Sequence, residues 1–218
     1  MINIALDGPA GSGKSTVAKI LAEKLGILYL DTGAMYRACA LKCLNSGVDV
    51  SDEVGVKGII DGLDLKIRYD GGAQVTLLDG KDVSKEIRRA EISMLASTVS
   101  AHKAVRMKMV EKQREIASEM DCVLDGRDIG SFVLPNAKYK FYLTADSMVR
   151  AERRYKELKE RGEEVDLNAL HEEIIKRDHN DSHRDFAPLV KAKDAEVIDT
   201  SYISAEEVAE IIIKKIKG

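Results

Sequence analysis

Asn3-Ile4-Ala5-Leu6-Asp7-Gly8-Pro9-Ala10-Gly11-Ser12-Gly13-Lys14-Ser15-Thr16 stands almost at the start of the chain. Residues 8–15 fit G-x-x-x-x-G-K-[ST], the phosphate-binding loop pattern, at every position. The flanks agree with it. Ile2 to Asp7 is a short apolar run that reads as a strand, and Ser15 to Leu25 reads as an amphipathic helix with Val17, Ile20, Leu21 and Leu25 on one side. A strand that passes through a glycine-rich turn into a helix N-terminus leaves free backbone N–H groups, and the positive end of a helix dipole, aimed at one point. Gly8, Gly11 and Gly13 allow positive φ and a close approach of backbone to phosphate oxygens. Lys14 can reach the β- and γ-phosphates, and the Ser15 hydroxyl can hold Mg²⁺. A glycine turn with an incidental lysine would not come with both flanking elements. Residues 8–16 are therefore read as the binding site of a nucleoside triphosphate.

The composition fits a soluble α/β protein with insertions: 218 residues, 44% hydrophobic and 33% charged, with a formal net charge of −3. A net charge this small offers no global field for nucleic acid or an acidic membrane, so neither is expected as a partner. Cys39, Cys43 and Cys122 form no metal pattern, and Cys39 and Cys43 are expected to be half-buried packing residues on one helix face. The sparse cysteines suit a reducing compartment. No signal peptide or membrane-spanning run is visible, and a cytoplasmic monomer is expected.

Along the chain, buried strands alternate with helices. Strands are expected at 27–30, 122–125, 139–143 and 196–199, after the first at 2–7. Helices are expected at 35–45, from a Ser51 cap to about residue 63, at 90–100 and 102–119, at 147–161, from an Asp166 cap to about 181, and after a Ser204 cap with Val208, Ile211, Ile212 and Ile216 inward. Between 65 and 77 the period changes to two around Asp70-Gly71-Gly72, which marks an antiparallel hairpin, with a third strand near 81–83. The fold class expected is α/β: a five-stranded parallel sheet with helices on both faces, an inserted subdomain with a small antiparallel sheet, and a helical lid. The boundaries are drawn at 1–31, 102–146 and 167–218 for the core, 32–101 for the insert and 147–166 for the lid.

Three groups of residues carry chemistry beyond the loop. Asp125 ends a core strand, where an acid can orient Mg²⁺ through water. Arg150, Arg153 and Arg154 share one helical face. Guanidinium forks suit phosphate oxygens, so the reading is a lid that closes over the triphosphate, against a solvated face with Glu157 bridged to Arg153. Arg177, Asp181 and Arg184 repeat the pattern at i, i+4 and i+7, with His179 and His183 as surface residues beside them, but an exposed ion-pair ladder would look the same. Thr32, Arg37, Arg127 and Asp128 lie at or just after the carboxyl ends of core strands, where ligands of open α/β sheets bind. A GTPase would need an N-K-x-D segment, and none occurs. A kinase of a small substrate is the leading reading. A nucleotide-binding module without transfer is the competing one, disfavoured by so many cations converging on phosphates.

The chain resembles the bacterial cytidylate kinases over essentially its full length. The resemblance rests on IALDGPAGSGKST at the start, LDTGAMYR at 30–37, VLDGRDIG at 123–130, RAERR at 150–154 and KRDHNDSHRDFAPL at 176–189. It implies transfer of the γ-phosphoryl group of ATP to CMP or dCMP, with Mg²⁺ accompanying ATP. It implies that Ser97, Arg106 and Asp128 read the cytosine, that Arg37 and Arg127 hold the acceptor phosphate, that Arg177 and Asp181 bind the sugar, and that Arg184 is a base-side arginine. Thr32 stands where many relatives have Ser, which keeps the hydroxyl, and Ser15 stands where some have Gly, where a hydroxyl suits Mg²⁺. Lys14, Arg150, Arg153 and Arg154 are the expected catalytic groups. Lys14 is expected to be an exposed charge in its loop.

Overall fold

A computed structural model describes residues 1–218. The main sheet runs β2 (Leu28–Asp31), β6 (Cys122–Gly126), β1 (Asn3–Asp7), β7 (Tyr139–Thr144), β8 (Glu196–Asp199). The register of β1 with β6, of β1 with β7 and of β7 with β8 is parallel. Ile4, Ala5 and Leu6 of β1 are fully buried, as a strand covered on both faces requires. A smaller antiparallel sheet is formed by β3 (Leu65–Asp70), β4 (Ala73–Leu78) and β5 (Lys81–Asp82). No helix is long and apolar enough to cross a membrane.

The chain divides into two compact units. The first is Leu28–Asp121 together with Met1, and the second is Ile2–Ile27 with Cys122–Gly218. Compared with the boundaries read from the sequence, β2 and α5 (Lys103–Glu119) fall in the first unit. The reason for α5 is packing: it lies on α2 (Thr32–Asn45) and α3 (Glu53–Asp61), also of that unit. Its inner face buries Val105, Arg106, Met109, Val110, Gln113 and Ala117. α4 (Ala90–Val99) packs on α2 as well.

In the second unit, α1 (Lys14–Leu25) packs on α8 (Ala205–Lys217), and α6 (Ser147–Glu160) packs along α7 (Leu167–His183). The cap expected at Ser204 is present as a full capping box with Glu207. Asp166 caps α7 as expected, through Ala169 N.

Several local expectations are corrected. α2 starts at Thr32 rather than Met35, because the Asp31 side chain accepts from Ala34 N and so nucleates the helix at once. Asp52, not Ser51, caps α3; Ser51 is held by Asp49 instead. Ile211 is 37% exposed, so the inward stripe of α8 is Val208, Ala209 and Ile212. Cys39 and Cys43 are fully rather than half buried. A π-helical turn, Ile129–Val133, follows β6 and had no sequence signal.

Candidate functional site

Strand order reverses about β1, with β6 on one side and β7 on the other. Ligands of open α/β sheets bind at the carboxyl end of such a strand. Residues 8–13 occupy that end, between β1 and α1. Glycine at position 8 is obligatory: φ is +143°, and a Cβ there would meet the Leu143 carbonyl oxygen at 1.9 Å. Gly13, with φ +83°, caps α1 without a side chain and leaves the first-turn N–H groups of the helix free for an anion.

Lys14 is not exposed, in contrast to the expectation. It is buried, with Nζ donating to Pro9 O at 2.6 Å and to Ser12 Oγ at 3.3 Å. The amine thus folds back across its own loop. Burial, and then the Arg127 guanidinium, bring its pKa down to about 7, against the pull of Asp125 and Asp7. Ser15 Oγ donates to Asp125 Oδ2 at 2.5 Å. A hydroxyl and a carboxylate facing each other beside the lysine are the hard oxygen donors that a small divalent cation takes, so the donor set fits Mg²⁺.

Asp7 was not singled out from the sequence. It ends β1, is buried, and accepts from Ile129 N and Gly130 N, both at 2.7 Å. Burial pushes its pKa up to about 6 despite those two donors. It ties the start of the glycine-rich loop to the π-helical turn. Its signal was only that a lone acid ended an apolar strand.

Behind the loop the arginines of α6 separate. Arg150 is buried; it donates to Ala145 O and to Ala10 O, each at 3.0 Å, and pairs with Asp178 at 2.6 Å. Arg153 reaches Thr200, through its hydroxyl at 3.2 Å and its carbonyl at 2.5 Å. Glu157 bridges Arg154 at 2.7 Å, not Arg153 as the alternative reading had it. Spacing put the three on one face but could not show that each has its own partner.

On the same unit Arg127 Nε pairs with Asp181 Oδ2 at 2.8 Å. Burial opposes both charges. Asp181 nevertheless raises the Arg127 pKa, and Arg127, Arg177 and Arg184 lower that of Asp181. Arg177 and Asp181 share α7 as expected, but the helix ends at His183. Arg184 has extended backbone, so the i+7 argument fails for it; it approaches buried Asp128 at 3.5 Å instead. His179 and His183 are exposed and stacked, as surface residues.

In the first unit, Thr32 begins α2 and is buried, and Arg37 pairs with Asp31 at 2.9 Å. Gln74 of β4 brackets the same residue, accepting from Asp31 N and donating to Asp31 O. Arg106 is buried on α5, with its guanidinium 5.3 Å from the Tyr36 ring centre and Nη1 donating to Ser100 O at 3.3 Å. Ser97 lies on α4, partly exposed.

The profile of the family described as cytidylate kinase matches residues 4–218. The chain is 49% identical to "Cytidylate kinase" of Caldicellulosiruptor saccharolyticus, over 98% of this chain and 94% of the relative. It is 50% identical to "Cytidylate kinase" of Clostridioides difficile, over 98% and 97%. Among solved structures, shikimate kinase of Bacteroides thetaiotaomicron superposes with a TM-score of 0.52 at 13% identity, covering 100% of this chain and 99% of that one, which is a likeness of fold. With a complete phosphate-binding loop and a near-full-length match to these relatives, the chain belongs to the cytidylate kinase family, ATP-dependent phosphotransferases.

Proposed function

We propose that the glycine-rich loop and the arginines of this chain carry out transfer of the γ-phosphoryl group of ATP to CMP or dCMP. The observation that supports it most is the loop itself: a buried lysine curled within residues 8–15, in a chain about half identical to named cytidylate kinases.

The residues divide by task. The N–H groups of residues 8–16 bind the donor phosphates, and Lys14 exchanges its Pro9 carbonyl for a phosphate oxygen. Ser15, and Asp125 through water, would hold Mg²⁺, which when bound neutralises phosphate charge. Arg150, Arg153 and Arg154 add cations as charge spreads over the transferring group. Arg37 and Arg127 orient the acceptor phosphate, whose own oxygen is the nucleophile, so no general base is needed. Arg177 and Asp181 hold the sugar, and Thr32 offers its hydroxyl to the substrate. Ser97, Arg106 and Asp128, with Arg184, read the base. Asp128 accepts a hydrogen bond from the exocyclic amine of cytosine, whereas uracil presents a carbonyl there.

A coupled ADP-release assay tests the reading. With ATP as donor, CMP and dCMP should be turned over far faster than UMP, AMP or GMP. ADP release that is no faster with any monophosphate than without one would favour a nucleotide-binding module instead.

A further inference from the structure

Thr200, just beyond β8, is given no substrate role above, and it is almost fully buried, at 3% exposure. Four hydrogen bonds converge on it. Its N–H donates to Thr144 O at 2.7 Å. Its hydroxyl donates to Ser12 O at 3.0 Å. Arg153 donates to that hydroxyl at 3.2 Å and to the Thr200 carbonyl at 2.5 Å.

The directions of these bonds follow from chemistry. A carbonyl only accepts, so the single hydroxyl proton of Thr200 goes to Ser12 O. A guanidinium only donates, so Arg153 takes a lone pair of the same oxygen. The two bonds are compatible and reinforce each other, because a cation on the acceptor side polarises the hydroxyl toward the carbonyl.

Ser12 O belongs to the same peptide unit as Gly13 N–H. In a trans peptide these two bonds point in opposite directions, and the chain has no cis peptide. Fixing the carbonyl toward Thr200 therefore fixes the Gly13 N–H pointing away from Thr200. That fixation matters because the peptide is free to turn otherwise. Gly13 has φ +83° and no Cβ, so rotation of the 12–13 peptide meets little steric resistance. Within the loop the Ser12 side chain is used elsewhere, donating to Pro9 O at 3.0 Å. The bond that Ser12 O accepts from Thr200 comes from outside the loop.

We infer that Thr200 is a positioning residue for the donor-phosphate site: its hydroxyl locks the Ser12–Gly13 peptide with its N–H turned away from Thr200, and Arg153 holds the hydroxyl in that orientation. This rests on the loop being the donor-phosphate site, as proposed above. It does not depend on which monophosphate accepts.

The test reads binding of inorganic tripolyphosphate, which has no base or sugar, by calorimetry. The Gly13 amide resonance is followed in parallel. Thr200→Val keeps the shape and removes the hydroxyl, and it is expected to raise the Kd for tripolyphosphate and for ATP roughly tenfold, the effect of one buried acceptor left unpaired. The Kd for CMP should stay within about twofold, and Thr200→Ser should restore donor binding. Gly13 should shift on adding tripolyphosphate in the parent and in Thr200→Ser, and much less in Thr200→Val. If Thr200→Val does not fold, Thr200→Ala carries the same expectations without a methyl group against Ser12 O. Donor Kd values within twofold of the parent, equal weakening of CMP, or no rescue by Ser would each overturn the inference. A parent that binds tripolyphosphate but phosphorylates no monophosphate would refute the kinase reading and leave this one standing. A parent that does not bind tripolyphosphate would refute both.

Discussion

Binding of ATP should be accompanied by uptake of a proton at Lys14. The amine is buried, its bonds are to a neutral carbonyl and a hydroxyl, and its pKa lies at about 7. Roughly nine-tenths of the free protein then carries a neutral Lys14 at about pH 8, and roughly one-tenth at about pH 6. A triphosphate puts several negative charges beside the amine and restores the cation. Binding should therefore take up about 0.9 proton at about pH 8 and about 0.1 at about pH 6 through this group. Asp7, near 6, adds uptake only toward the acid end. The assay is calorimetric titration with Mg·ATP in buffers of different ionisation enthalpy, whose slope gives protons taken up. The same shift has a stability consequence. The folded-state value of about 7 lies below the unfolded 10.5, so between them the unfolded chain binds more protons. Stability of the nucleotide-free protein should rise with pH through that window, and bound ATP should flatten the rise. An uptake at pH 8 that is indistinguishable from zero, or that persists in Lys14→Met, would refute the reasoning.

Lys14→Ala should lower the transfer rate by about 10²–10³, the usual cost of removing one preorganised charge, while circular dichroism shows the fold retained. Asp128→Ala should cut kcat/KM with CMP far more than with UMP, narrowing a ratio that a site built around one polar group can raise to roughly 10⁴; equal losses would remove Asp128 from the base site. The Asp7 carboxyl, at about 6 in the folded protein and 3.8 otherwise, binds more protons when folded, so stability should fall as pH rises between those values. The loss is about 3 kcal/mol, read by urea unfolding at each pH and abolished in Asp7→Asn. The asparagine should itself cost about 1–3 kcal/mol, since one amide oxygen cannot serve both Ile129 N and Gly130 N.

The sheet was legible because its signals are local. A buried strand running into Gly8–Ser15 fixes strand, turn and helix together, and the capping residues Asp166 and Ser204 act within one turn of where they stand. The hairpin was legible for the same reason, since Gly71 and Gly72 between alternating runs specify a turn. What was not legible depends on partners distant in sequence. Nothing in the period of α6 says that Arg150 will find Asp178, that Arg153 will find Thr200, or that Glu157 will choose Arg154. Lys14 reads as an exposed charge because lysine usually is one; its burial comes from the way the loop closes over it. Arg184 shows the limit of periodicity directly. Counting by turns assumes the helix continues, and it stops one residue earlier.

The cations assigned to phosphates are not waiting free. Arg150 is paired with Asp178, Arg127 with Asp181 and Arg37 with Asp31, at 2.6, 2.8 and 2.9 Å. A phosphate that binds any of them either joins or displaces a carboxylate already present. Either way, part of the attraction is spent against an existing bond, which lowers affinity relative to an unpaired arginine. The compensation is in geometry. An unpaired buried guanidinium would be costly to the folded protein and free to adopt several rotamers, whereas a paired one is held in place before the substrate arrives. For Arg127 the balance is visible in charge: burial opposes its cation, and Asp181, Asp125 and Asp178 outweigh that, so the group remains charged without any ligand. Lys14 has no such partner at bonding distance among its neutral contacts, and its charge is marginal at neutral pH. The same fold thus keeps Arg127 charged and leaves Lys14 to gain full charge from the triphosphate. The lysine's cation is then strongest when phosphate charge is present, which is where a group that stabilises a developing phosphoryl charge is of most use.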